Sequence, residues 1–60
     1  MEKPEIHEIS RRLFQAHGDR AEYEAAQKAR ELAEVGRHDE SADWKRICQV
    51  VAEMRGPNYS

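Results

Sequence analysis

Residues 16–36 read AHGDRAEYEAAQKARELAEVG. Alanines recur at 21, 25, 29 and 33 between Gly18 and Gly36, with Ala26 and Leu32 beside them. Recurrence every four residues marks one face of an α-helix. Alanine is the strongest helix former and leaves a thin cylinder. A helix with Ala21, Ala25, Ala29 and Leu32 on its inner face, joined by Ala26 and Ala33, is expected to sit against two neighbours. Gly18 suits the left-handed residue that ends a preceding helix. Asp19 and Glu22 have the spacing of a capping box, in which each side chain reaches the other residue's backbone N–H. The segment therefore predicts a helix over about 20–35, with caps at Gly18, Asp19, Glu22 and Gly36.

The flanks repeat the pattern. Pro4 fits a first helical turn, where its missing N–H is no loss. Ile6, Ile9, Leu13 and Ala16 follow at spacings of 3, 4 and 3, widened by Phe14. Helix one is expected over about 4–17, with Glu8 and Arg12 as an outer ion pair. Glu24 with Lys28 and Arg30 with Glu34 would serve helix two in the same way. Past Gly36, Asp39 or Ser41 can cap a third helix over about 39–55. Trp44, Ile47, Val51 and Met54 form its stripe, with Cys48 alongside, and Gly56-Pro57 stops it. Residues 1–3 and 56–60 are expected to fray. The fold class is all-α, a single-domain, small three-helix bundle; the alternative is an open arrangement that closes its core only as a dimer.

Sixty residues hold one domain, and a chain this short buries only about 60% of the surface that it exposes when unfolded. Charged residues are 37% of the chain, but the helical periodicity speaks against disorder. The net charge of −2 creates no general attraction to nucleic acid or anionic lipid. One cysteine excludes an internal disulfide. The N-terminus MEKPEIHEIS lacks the apolar run of a signal peptide, and no segment has the ~20 apolar residues of a membrane span. A cytoplasmic setting is expected.

The sequence offers little to catalysis. His7, His17 and His38 have neither each other nor Cys48 at local metal-ligand spacing, so no metal site or cofactor is predicted. His17 and Asp19 could form a general-base pair, but general catalysis needs a pocket, and an alanine-rich middle helix leaves little volume for one. No catalytic residue is assigned, and an enzyme is not expected. His17 is the one residue of the first corner without a structural duty. Cys48 fits a buried structural thiol better than a reactive one.

Two binding classes remain. The helix after Gly18 would be the recognition helix of a helix-turn-helix, yet it begins Arg20, Ala21, Glu22, Tyr23, Glu24, which sets carboxylates against phosphates. A nucleic-acid regulator would instead need a patch of Arg11, Arg12, Lys45 and Arg46. Protein contact draws on the apolar residues that fall off the stripes: Tyr23, Val35 and Val50, with Trp44 as a possible anchor. The expected function is a non-enzymatic protein that acts on a protein partner or as a homodimer, in an accessory, adaptor or inhibitor role; a nucleic-acid regulator is the alternative.

His17-Gly18-Asp19, the alanines from Ala25 to Ala33, Gly36, Ala42 with Trp44, and Arg55-Gly56-Pro57 together resemble a group of short alphaproteobacterial helical proteins of no assigned function. The likeness covers most of the chain beyond Leu13. It implies a small helical bacterial cytoplasmic protein and nothing catalytic.

Overall fold

The computed structural model describes residues 3–56, and it is all-helical, with no strand among those residues. Helix α1 spans Pro4–His17, a 3₁₀ turn spans Gly18–Arg20, α2 spans Ala21–Glu34 and α3 spans His38–Met54. The helical residues thus form two runs, 4–34 and 38–54, and not three separated by two open corners. The first corner is itself helical. Gly18 still donates its N–H to the Phe14 carbonyl, then turns the chain with φ 59° and ψ −127°. That is a glycine conformation, but not the left-handed helical one expected.

The expected caps fare unequally. Gly36 (φ 85°) closes α2 with a Schellman pair: the Arg37 N–H donates to the Leu32 carbonyl at 2.8 Å, and that of Gly36 to the Ala33 carbonyl at 3.1 Å. No side-chain cap bond starts α2, because Asp19 lies within the 3₁₀ turn and Glu22 pairs with Arg55 instead. Asp39 caps nothing either. Arg37 holds the N-cap position of α3, which leaves Asp39 in the first turn, where its charge favours the helix dipole.

Three contacts fix α3 antiparallel to α2. Ser41 Oγ donates to the Ala29 carbonyl at 2.7 Å, Cys48 Sγ to the Glu22 carbonyl at 3.4 Å, and Arg55 pairs with Glu22. At the seam, Ala21 and Ala25 are wholly buried and Ala29 nearly so. The thin face of α2 therefore packs as the alanine spacing predicts, but chiefly on α3, with only a small contact to α1. It is α3 that touches both neighbours. Serving two helices requires a wider apolar face than one stripe, so Val50 is buried beside Ile47 and Val51, while Met54 is exposed.

An ion pair and a histidine–carboxylate contact lie at the two ends of α1. Lys3 Nζ donates to Asp43 Oδ2 at 3.0 Å, so Lys3 is not a frayed residue, and His17 meets Glu24 on α2. The rest of the expected fraying, at residues 1–2 and 57–60, lies outside the described residues. The inner face of α1 is turned from the predicted stripe. Ile6 and Ser10 are buried and Leu13 and Phe14 half-buried, whereas Ile9 and Ala16 face outward. Ser10 tolerates burial because its hydroxyl donates to the Ile6 carbonyl at 2.6 Å. Outside, Glu8 accepts from Arg12 at 3.0 Å as expected. Glu24 takes His17 in place of Lys28, and no Arg30–Glu34 pair forms among the described residues.

Candidate functional site

The first corner does not assemble a His17–Asp19 pair. His17 Nδ1 lies 3.3 Å from Glu24 Oε2, both side chains being partly exposed. The sharp turn at Gly18 makes this possible, since it swings the start of α2 back toward the end of α1. His17 thus has a structural duty: it ties α1 to α2 across the 3₁₀ turn. Asp19 and Arg20 are exposed within that turn. Beside His17, a shallow groove of about 280 Å³ runs along α1 past Ile9, Arg12, Leu13 and Ala16.

Of the expected partner-binding residues, Tyr23 is 64% and Val35 69% exposed. Trp44 is half-buried against the core. Val50 is only 3% exposed and is a core residue, not a contact residue. Ile9 and Met54, which the stripe pattern assigned to the interior, join Tyr23 and Val35 as exposed large apolar side chains.

The four basic candidates are divided between α1 and α3. Arg11 and Arg12 are exposed on α1, where Glu8 holds Arg12. Lys45 is exposed and Arg46 half-buried on α3. Arg12 lines the α1 groove, whereas Lys45 lines a different one, between α2 and α3.

That second groove, about 400 Å³, has Ala26, Ala29 and Ala33 as its α2 floor and Cys48 at its α3 side, with Arg30 and Lys45 as its charged walls. Arg30 and Lys45 form no ion pair among the described residues. Sequence spacing does not reveal this pairing of walls, because Arg30 reads there only as the partner of Glu34. Burial pushes the Cys48 thiol above its ordinary range, and the nearby Glu22 carboxylate adds to the shift. Cys48 therefore stays a neutral thiol at neutral pH and donates to the Glu22 carbonyl. Among the described residues, no group of three or more His, Cys, Asp or Glu side chains is placed to hold a metal ion. No described helix is long and apolar enough to cross a membrane.

Comparison of the chain with protein-family models, curated proteins and solved structures yields no match.

Proposed function

We propose that this chain is a small, non-enzymatic all-helical protein of the cytoplasm that acts through protein–protein contacts, as an accessory, adaptor or inhibitor. One observation carries this. Ile9, Tyr23, Val35 and Met54 are exposed, against Ile6, Ile47, Val50 and Val51 as the buried large apolar side chains. Among the described residues as many such side chains are exposed as are buried, so the molecule gains by covering them, and a partner protein or a second copy can do so. Regulation through nucleic acid has less support, because Arg12 is already paired with Glu8 and lies in a different groove from Lys45.

The test is isolation at native expression level, followed by sedimentation and mass analysis. A dimer, or a stoichiometric complex with another protein, is expected. A monomer that carries no partner at micromolar concentration refutes the proposal.

A further inference from the structure

The α2–α3 pair has two sides. On one, Ile6 of α1 joins Ala21, Ala25, Ile47, Val50 and Val51 in a common core. Residues on a helix are set about 100° apart, so Lys45 and Cys48 lie about 160° and 100° round α3 from Ile47, on the side away from Val50. The groove they line with Ala26, Ala29 and Ala33 is therefore a second, uncovered side of the same pair.

We propose that this groove docks an acidic amphipathic helix from a partner protein. The floor residues 26, 29 and 33 follow one another along α2 at helical spacing, over about 10 Å of its axis. Alanines there let a further helix approach at the short end of the usual 8–10 Å separation. A groove of about 400 Å³ takes the apolar face of such a helix. The walls supply the sign of the partner. Arg30 on α2 and Lys45 on α3 are exposed and lack an ion pair among the described residues. Carboxylates on the two flanks of the incoming helix's apolar stripe can meet both walls. A second copy fits poorly, since an isologous interface over this patch brings the Arg30 and Lys45 of both chains together. A nucleic-acid backbone would leave the alanine floor unused.

This assignment presupposes that the protein acts through protein contacts, and its test separates the two ideas. Helix-forming peptides are selected from a display library against the folded chain. The binders are expected to carry Asp or Glu beside a stripe of small apolar residues. R30E/K45E should weaken them about tenfold or more, and exchanging their acids for lysine should restore binding to that variant. A26R, which fills the groove from an exposed position, should abolish binding while circular dichroism stays unchanged. Should either variant lose its fold, amide NMR of the wild-type chain replaces it, with peptide-induced shifts expected at Ala26, Ala33 and Lys45. Binders without acidic residues, binders indifferent to both variants, shifts confined to Tyr23 and Val35, or self-association that A26R abolishes would each overturn the groove assignment and leave a role in protein contacts standing. If no binder emerges and the native protein is a lone monomer, both ideas fail.

Discussion

Ser10 and Ser41 are both buried, and both hydroxyls donate to a backbone carbonyl, yet they should respond differently to replacement by alanine. Ser41 Oγ crosses from α3 to the Ala29 carbonyl of α2, whereas Ser10 Oγ returns to Ile6 within its own helix. Each Ser→Ala change gains about 0.5 kcal/mol of helix propensity. Removing the Ser41 hydroxyl forfeits an interhelical bond of about 1 kcal/mol, up to about 1.5, for a net loss of about 0.5–1 kcal/mol. Removing the Ser10 hydroxyl forfeits a bond of the kind that slightly bends and destabilises helices, so the net change is about zero or a small gain. The expected gap is about 1 kcal/mol, or roughly 4–8 °C in Tm for a domain of this size. Thermal and urea unfolding followed by circular dichroism measures both variants under identical conditions. Equal effects, or a larger loss at Ser10, refute the claim that Ser41 locks α3 onto α2.

Further outcomes follow from the same geometry. Ile47→Ala, at a fully enclosed position, should cost about 2–5 kcal/mol, a large share of the ~3–9 kcal/mol typical of sixty residues, and a loss under 1 kcal/mol in urea unfolding would mean that the core lies elsewhere. Gly18→Ala should cost about 1–3 kcal/mol although a methyl group there meets nothing, because the penalty lies in the backbone angles. Asp19→Ala, by contrast, should stay within about 0.5 kcal/mol, since no cap bond is lost; a 1 kcal/mol fall in the same assay would restore the capping box. Ultraviolet titration of Cys48 should give a midpoint above that of a free thiol. A folded-state value raised in this way favours the fold below the unfolded thiol's range, and that stability is lost as pH rises through the folded value. A midpoint at or below the free value contradicts the burial.

The sequence carried the local structure well and the packing less well. Helix class, the stop at Gly36 and the alanine seam of α2 all depend on neighbours within a turn or two, which periodicity and glycine chemistry report directly. The errors lie where a distant residue decides. Glu22 has capping-box spacing, but Arg55, thirty-three positions away, claims its carboxylate. Val50 falls off a single stripe, yet α3 serves two helices and buries it. Ser41 reads as a helix cap, because nothing in its neighbours reveals that the Ala29 carbonyl of α2 is placed to accept from it. The α2–α3 groove was illegible for a related reason: Arg30 and Lys45 become its facing walls only once α3 folds back along α2.

Site-specific photo-crosslinking in the cell of origin tests most directly the central claim that exposed apolar surface serves a partner. A photoreactive residue replaces Tyr23, Val35 or Ala26 in turn, with the exposed Lys28 as the control position. An adduct of one defined mass, with another protein or a second copy, is expected from at least one of the three and not from Lys28. Adducts no different from the control at all three positions would contradict that claim.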